Sequence, residues 1–251
     1  MASLIFGVRL DELETVDQLR SVTTGFLDGD RTFRIFTPNP EILLRARSDA
    51  EYADVLRSAD LALPDGTGVT LVQTLRDGRT VRRWPGVDIA TFLVRLAAQR
   101  GETVAFVGGA PDVPERAAVR WRTLPGLKVV VAGAGVEVDV DGSARHAERE
   151  DEMTDAIHSA APAIVLVGLG APKQERWITR HADAFPSVRV MIGVGGAFDI
   201  WAGSRRRAPR PFRTLGLEWL WRLALEPRRL PRIIRATVVF PVLAVFDRTG
   251  E

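Results

Sequence analysis

The sequence predicts an α/β protein: a mostly parallel, doubly wound sheet with helices on both faces, followed by a C-terminal helical appendage. Up to Gly203, short apolar runs alternate with helical patterns. Such alternation is typical of parallel sheets whose strands are covered on both sides. Beyond Gly203 the strand pattern stops, and arginine, leucine, tryptophan and proline dominate. We therefore expect an α/β domain large enough to carry a catalytic site at residues 1–203 and a helical appendage at residues 204–251.

Six segments have the near-continuous apolar composition of buried strands. They are residues 31–36, 59–63, 103–108, 128–132, 163–168 and 188–194. Helical patterns precede or separate them at residues 16–27, 40–57, 87–100, 114–124, 146–160 and 172–185. No internal repeat or low-complexity linker interrupts this order, so the alternation predicts a single sheet.

Composition excludes several classes of protein. The 251 residues are 46% hydrophobic and 26% charged, as in an ordinary globular protein that can bury a core. Cysteine is absent, which excludes disulfides, a thiolate nucleophile and cysteine metal sites. The sequence contains no run of about 18 apolar residues, so we expect no membrane-spanning helix. The first residues carry no basic leader, so we expect no signal peptide and a cytoplasmic protein.

Positive charge is concentrated in the appendage. Residues 204–235 contain ten arginines and two acidic residues, whereas the whole chain has a net charge of +2. Helical spacing places arginines on one arc and apolar residues on the other: Arg228, Arg229, Arg232 and Arg235 against Leu230, Ile233, Ile234 and Val238. With Trp219 and Trp221 upstream, this pattern is typical of a helix lying on anionic lipid. A helix packed on the body and a nucleic-acid surface remain alternatives, although no nucleic-acid-binding motif accompanies the arginines.

Candidate ligand-binding residues follow the predicted strands, because open parallel sheets bind ligands outside the carboxyl ends of their strands. These residues are Thr37, Pro38, Asn39, Asp65, Gly66, Gly109, Ala110, Gly170, Gln174, Gly195, Gly196 and Asp199. Glycine there lets backbone amides approach an anion, although turn geometry explains each glycine equally well. None completes the G-x-G-x-x-G pattern, which argues against a dinucleotide cofactor.

Asp65 is the sharpest catalytic candidate. A carboxylate at a strand end, followed by Gly66, is well placed to accept a proton from a hydroxyl nucleophile. The alternative is an Asp-Gly turn that caps the next helix at Gly68. Both interpretations are open from the residues alone.

Metal and hydrolase sites have little support. The D-x-D triplets at residues 28–30 and 139–141 are able to hold a divalent cation, but both lie in hydrophilic segments that predict solvated turns. His146, His158 and His181 fall within helical patterns at ordinary spacing. We expect neither a metal site nor a serine–histidine arrangement.

Taken in order, eight short motifs resemble the WecG/TagA/CpsF glycosyltransferase family. They are Thr37-Pro38-Asn39, Asp65-Gly66, Arg83-x-x-Gly86-x-Asp88, Gly168-x-Gly170-x-Pro172-x-Gln174-Glu175, Gly195-x-x-x-Asp199, Arg207-Ala208-Pro209, Gly216-Leu217-Glu218-Trp219-x-x-Arg222 and Glu226-Pro227-x-Arg229. Each motif is common alone, but the ordered set spans nearly the whole chain and is specific.

The resemblance implies a Rossmann-like sheet and a metal-independent, inverting transfer. A sugar would move from a UDP-sugar to a saccharide on polyprenyl diphosphate, during synthesis of surface polysaccharides or wall polymers. The enzyme would be peripheral on the inner face of the cytoplasmic membrane, with an anionic membrane surface as partner and no nucleic acid. No cofactor is expected, because the UDP-sugar is a substrate. The sugar (N-acetylmannosamine, a uronic acid or similar) and a homo-oligomer are left open.

The resemblance also implies roles for individual residues. Asp65 would be the general base, Thr37 and Asn39 would line the site beside it, and Arg83 would neutralise an anionic substrate group. Donor contacts are expected from Gln174, Gly195 and Asp199, and diphosphate contacts from Arg222, Arg229 and Arg232 once the appendage docks. Further substrate-binding candidates are Gly66, Gly108, Gly168 and Arg207.

Two other functions are kept as alternatives. A doubly wound sheet alone would allow an NAD(P)-dependent oxidoreductase, and the arginine-rich tail alone would allow a module that binds lipid or nucleic acid. Pro231 and Pro241 are expected to kink the tail.

Overall fold

The computed structural model describes residues 2–247. Its strands are β1 (Ala2–Ile5), β2 (Val8–Asp11), β3 (Phe33–Phe36), β4 (Leu61–Ala62), β5 (Thr103–Gly108), β6 (Lys128–Gly133), β7 (Ile164–Gly168) and β8 (Val190–Gly193). Strands β3 to β8 form one parallel sheet in the order β4-β3-β8-β7-β5-β6. The predicted parallel sheet is confirmed.

The helices alternate with these strands and then continue without them. They are α1 (Val16–Leu27), α2 (Pro40–Ser48), α3 (Ala50–Arg57), α4 (Thr67–Asp77), α5 (Gly86–Arg100), α6 (Val113–Arg122), α7 (Ala147–Ala160), α8 (Lys173–His181), α9 (Ala197–Trp201), α10 (Arg210–Thr214), α11 (Glu218–Leu225), α12 (Leu230–Ile234) and α13 (Phe240–Val245). A 3-10 turn at Pro227–Arg229 and a π-helical turn at Arg235–Val239 join the last elements.

Three of the differences from the sequence prediction have a clear physical cause. The helix expected at residues 40–57 is divided at Asp49, which ends α2 and whose carboxylate caps α3 by accepting from the Tyr52 amide at 2.9 Å. Helix α4 was not predicted, because one glycine and three threonines dilute its apolar pattern. The β1–β2 hairpin was also missed; its turn is Phe6 and Gly7, both with positive φ.

The sheet is packed on both faces, as its continuous apolar strands predict. Successive residues point to opposite sides, so that Val165 packs in one core with Phe36 and Trp177, and Leu166 packs in the other with Phe106. The first core contains residues of α2, α3, α4, α7, α8 and the hairpin, and the second contains residues of α1, α5, α6 and α9.

The C-terminal tail crosses back over the body. Phe240 and Ala244 of α13 are fully buried in the first core. Pro231 lies in the first turn of α12, where a missing N–H breaks no helical bond. From Leu230 to Val245 the backbone stays helical, and it takes the π-helical turn at Arg235–Val239 directly before α13 and Pro241. The Phe6 amide donates to Asp247 at 2.6 Å, which ties the end of the tail to the hairpin.

The two-domain division at residue 203 stays a prediction, and Met1 and residues 248–251 of those domains lie outside the described residues. Residues 28–30 and 139–141 lie in turns, and between residues 2 and 247 no group of three or more acidic or histidine side chains is arranged to hold a metal. His146 precedes α7 instead of lying inside it. In the same part of the chain, no helix has the length and apolarity needed to cross a membrane.

Candidate active site

A polar cavity lies at the carboxyl ends of four neighbouring strands, β4, β3, β8 and β7, and α11 closes it from the tail. It brings together seven of the predicted site residues, which are Thr37, Asn39, Asp65, Gln174, Gly195, Arg207 and Arg222. Because parallel strands end at one edge of the sheet, residues far apart in sequence meet there. The cavity is the structural counterpart of the predicted strand-end site.

Asp65 lies in this cavity, on the segment between β4 and α4. Its amide donates to the Pro38 carbonyl at 3.0 Å, and its Oδ2 accepts from the Gly86 amide at 3.4 Å. The capping alternative is wrong, since Gly66 is the N-cap of α4 and no side chain caps that helix. The carboxylate therefore does not cap α4; its Oδ2 accepts one long hydrogen bond from the first amide of α5, and the group faces the cavity, where a ligand can reach it.

Burial sets the protonation of Asp65. It raises the pKa of this carboxyl from 3.8 to about 6, against the opposing effects of the Arg222 charge, the Gly86 hydrogen bond and the Arg83 charge. Protein surrounds the carboxyl, yet part of the side chain reaches the cavity. A base with a pKa about one unit below neutral is mostly ionised at pH 7 and still accepts protons readily.

Thr37 and Asn39 follow β3 and lie beside Asp65 in the cavity wall. Thr37 is packed against Gly86, where an added β-carbon would lie 2.9 Å from Oγ1, so this contact requires glycine. Asn39 caps α2 by accepting from the Ile42 amide at 3.0 Å. Its amide nitrogen donates to no other described residue, which leaves that donor for a substrate.

Arg83 joins the body to the tail. Its Nη1 lies 3.1 Å from Glu218 Oε2, and its Nη2 donates to the Arg213 carbonyl at 2.7 Å. Nearby, the Thr67 hydroxyl donates to the Gly216 carbonyl at 2.8 Å. Because Glu218 already balances the charge of Arg83, docking of the tail is the role that these contacts support, and neutralising a substrate group stays a prediction.

Most of the predicted arginines of the tail carry a partner. Arg207 pairs with Asp88 at 2.7 Å, Arg229 with Glu226, and Arg232 with Glu41 at 3.5 Å. Arg229 and Arg232 line a separate groove together with Arg45 and Arg235. Within residues 2–247, Arg222 has no carboxylate in ion-pair distance, and it borders both this groove and the polar cavity.

The sequence analysis missed two cationic residues of the cavity. Arg205 and Arg206 line it next to Arg207, and neither forms an ion pair with another described residue. The Arg205 guanidinium lies against Gly196, where an added β-carbon would be 2.8 Å from its Nη1. The run of three arginines was the available signal, but only Arg207 belonged to a recognised motif.

Three predicted substrate contacts lie outside the cavity lining. Gly108 and Gly168 are paired on β5 and β7, and an added β-carbon would meet Leu169 or Phe198 at 2.7 Å, so both are required for packing. Asp199 lies on α9, where its carbonyl accepts from the Arg205 amide at 3.0 Å. Their roles in binding substrate stay predictions.

A second, more apolar cavity meets the first at Asp65. Gly66, Leu71 and Trp219 line it, along with Ile233 and Pro241 of the tail. Asp65, Asn39 and Arg222 border both cavities. Glu218 also borders both but is paired with Arg83, so Asp65 is the carboxylate without an ion pair to another described residue between a cationic chamber and an apolar one.

The comparison with known proteins covers the chain that builds both cavities. The model of the "Glycosyl transferase WecG/TagA/CpsF family" matches residues 3–251. The chain belongs to this family. The resemblance drawn from the ordered motifs is thereby confirmed, and with it the transferase class.

Two curated relatives of this transferase family carry the same name, N-acetylglucosaminyldiphosphoundecaprenol N-acetyl-beta-D-mannosaminyltransferase. The protein of Bacillus spizizenii is 34% identical over 231 residues, which are 90% of this chain and 86% of the relative. The protein of Staphylococcus aureus (strain MRSA252) is 28% identical over 232 residues, 91% of this chain and 87% of the relative.

Proposed function

We propose that this glycosyltransferase moves an N-acetylmannosaminyl group from its UDP-sugar to N-acetylglucosamine carried on a polyprenyl diphosphate, with inversion at the anomeric carbon. The names of the two relatives support the choice of sugar and acceptor. The observation that carries the proposal is the place of Asp65, at the junction of the cationic and the apolar cavity. One substrate would reach the carboxylate from each side.

The chemistry follows from that arrangement. Asp65 accepts the proton of the attacking acceptor hydroxyl, whose oxygen forms the new bond to the anomeric carbon. The bond from that carbon to the UDP oxygen breaks on the opposite side, which inverts the configuration. Negative charge develops on the departing diphosphate, and the unpaired guanidinium groups of Arg205, Arg206 and Arg222 stabilise it. In this scheme no metal or cofactor takes part.

The acceptor side is proposed to face a lipid surface. The tail exposes apolar side chains along its last turns, with Val238 and Val242 each 56% exposed and Phe246 79% exposed. Arg228, Arg229, Arg232 and Arg235 lie on the turns just before, and this combination of apolar and cationic side chains favours binding to anionic membranes. We therefore place the enzyme as a peripheral protein on the inner face of the cytoplasmic membrane.

Vesicle co-sedimentation tests the membrane proposal. Replacing Val238 and Val242 with Asp is expected to weaken binding to anionic vesicles, because charged side chains resist burial among lipid chains. Val119, 63% exposed on α6, supplies the matched control, Val119→Asp. Equal binding by all three proteins would contradict the membrane surface proposed here.

Calorimetric titration with UDP tests the donor site. We expect UDP to bind in the presence of EDTA and NAD(P)H not to bind, whereas binding of NAD(P)H alone would favour an oxidoreductase. A transfer assay with UDP-N-acetylmannosamine and lipid-linked N-acetylglucosamine then tests the reaction. Asp65→Ala is expected to bind UDP and to lose transfer, because the attacking hydroxyl has no base; unchanged turnover would sink the assignment of Asp65.

A further inference from the structure

A buried hydrogen-bond chain runs from α3 to the wall of the polar cavity. The Tyr52 hydroxyl donates to Glu175 Oε2 at 2.9 Å, and Gln174 Nε2 donates to Glu175 Oε1 at 2.7 Å. Gln174 Oε1 in turn accepts from the Gly195 amide at 3.0 Å. Tyr52 is 0% and Glu175 2% exposed, and only Gln174 and Gly195 line the cavity.

These hydrogen bonds determine the orientation of the Gln174 side-chain amide. An ionised carboxylate only accepts hydrogen bonds, so the NH₂ group of Gln174 must face Glu175. Its oxygen is then directed at the Gly195 amide. A reversed amide would set its NH₂ group against that N–H and leave two donors facing each other. An added β-carbon on Gly193 would lie 2.6 Å from Gln174 Nε2, so the side chain also has little room to move.

A buried carboxylate at Glu175 is energetically unfavourable. Burial raises the pKa of Glu175, and hydrogen bonds from Gln174 and Tyr52 offset part of that rise. Arg176 pairs with Asp49 at 2.8 Å and lies over the Tyr52 ring, and its charge and that of Arg45 on α2 act against the burial that raises the pKa of Tyr52. Among the described residues, no cation forms an ion pair with Glu175. An apolar residue of similar size would cost less in a core of this kind. Packing alone therefore does not explain Glu175.

We propose that Glu175 and Tyr52 are positioning residues of the transferase: they fix the amide of Gln174 and, through it, the Gly195 turn on the donor side of the cavity. The proposal rests on the function proposed above, because it concerns binding of the UDP-sugar. Neither residue touches the cavity, so both act through Gln174. Gly195 has φ +49° and no neighbour within 4 Å of an added β-carbon, so the hydrogen bond from its amide to Gln174 is the side-chain contact that restrains this open turn.

Tyr52 protects the arrangement against protonation. When Glu175 binds a proton, its O–H can turn to the Tyr52 oxygen, and its other oxygen still accepts from Gln174. Without the tyrosine hydroxyl, the protonated carboxyl has the Gln174 oxygen as its alternative acceptor. The amide of Gln174 then reverses and releases the Gly195 amide. The loss grows as the pH falls, because protonation of Glu175 grows.

The test compares Tyr52→Phe, Glu175→Met and Glu175→Gln with the unaltered chain in UDP affinity and donor KM from pH 6 to 8. Glu175→Met is expected to weaken donor binding roughly tenfold at every pH, the scale of one lost hydrogen bond, with the acceptor KM unchanged. Tyr52→Phe is expected to lose affinity relative to the unaltered chain as the pH is lowered, because burial raises the pKa of Glu175 and its protonation grows in acid. Glu175→Gln is expected to rescue binding, because its oxygen accepts from Gln174 while its NH₂ group donates to Tyr52. Ratios to the unaltered chain remove the titration of Asp65, which all four proteins share.

A matched control separates positioning from stability. Thr32 is buried, and its hydroxyl donates to the Val188 carbonyl at 2.9 Å. Val188 precedes the first residue of β8, whereas Gly195 follows its last. Thr32→Val therefore removes a buried hydroxyl hydrogen bond next to the same strand and is expected to lower stability without changing UDP affinity. If Tyr52→Phe loses affinity equally at all pH values, the role is structural and the proposal is wrong.

The rate of hydrogen exchange at the Gly195 amide reports on the hydrogen bond to Gln174 without any ligand. Glu175→Met is expected to speed this exchange, and Thr32→Val to leave it unchanged. Unchanged exchange in Glu175→Met overturns the positioning role whether or not UDP binds. Failure of the unaltered chain to bind UDP, with exchange altered as expected, counts against the proposed function alone.

Discussion

Asp65→Asn is expected to make the protein more stable while it removes the catalytic base. In the folded protein, burial raises the pKa of this carboxyl from 3.8 to about 6. Above pH 6 the native state therefore holds a charge that it disfavours, and the unfolded chain does not. Two pKa units at about 1.4 kcal/mol each correspond to at most about 3 kcal/mol of lost stability. The neutral amide of asparagine avoids this cost.

The pH dependence gives the prediction its sign. Well below pH 3.8 the Asp65 carboxyl is protonated in both the folded and the unfolded protein, so the variant and the unaltered chain are expected to unfold at the same urea concentration. Between pH 4 and 6 only the unfolded carboxyl ionises, and the unaltered chain loses stability relative to the variant. Above pH 6 the difference levels off.

Asp60→Asn is the control of opposite sign. Burial alone would raise the pKa of Asp60, but hydrogen bonds from Arg31 and the Arg34 amide, together with both charges, bring it below its ordinary value. Its replacement is expected to destabilise the protein at neutral pH and to matter less in acid. The measurement is urea unfolding at several pH values. An Asp65→Asn variant that is less stable than the unaltered chain at pH 8, or a difference that ignores pH, would refute the reasoning.

Two further predictions concern charge and packing. Arg222→Gln is expected to raise the midpoint of the pH–rate profile, because the Arg222 charge lowers the pKa of Asp65. Arg206→Gln, in the same cavity, is the control and is expected to leave the midpoint unchanged. Initial transfer rates from pH 5 to 8 measure both midpoints. Gly168→Ala is expected to cost about 1–3 kcal/mol in urea unfolding, because its β-carbon would lie 2.7 Å from the Phe198 ring; a loss below 0.5 kcal/mol would contradict the packing argument.

The sheet and the edge that carries the site were accessible from the sequence. All six predicted strands are confirmed, with ends shifted by no more than two residues. Parallel strands place their carboxyl ends together by geometry, so Thr37, Asp65 and Gly195 could be assigned to one cavity without a structure. Local patterns of this kind depend only on near neighbours in the chain.

What depended on distant partners was not predicted. The pairing of Arg83 with Glu218 joins residues 135 positions apart, and no local pattern indicates it. The same holds for the Tyr52–Glu175 bond, which spans 123 positions. The hairpin was missed because its turn needs positive φ at Phe6, a residue that rarely adopts it.

The tail is fastened at both of its ends. Near its start, Arg83 holds Glu218 and Thr67 holds the Gly216 carbonyl; near its end, Asp247 accepts from the Phe6 amide. Because the tail is held at two places, breaking one set of contacts does not release it from the body of the protein. Opening the site by lifting the tail would therefore require the contacts at both places to break.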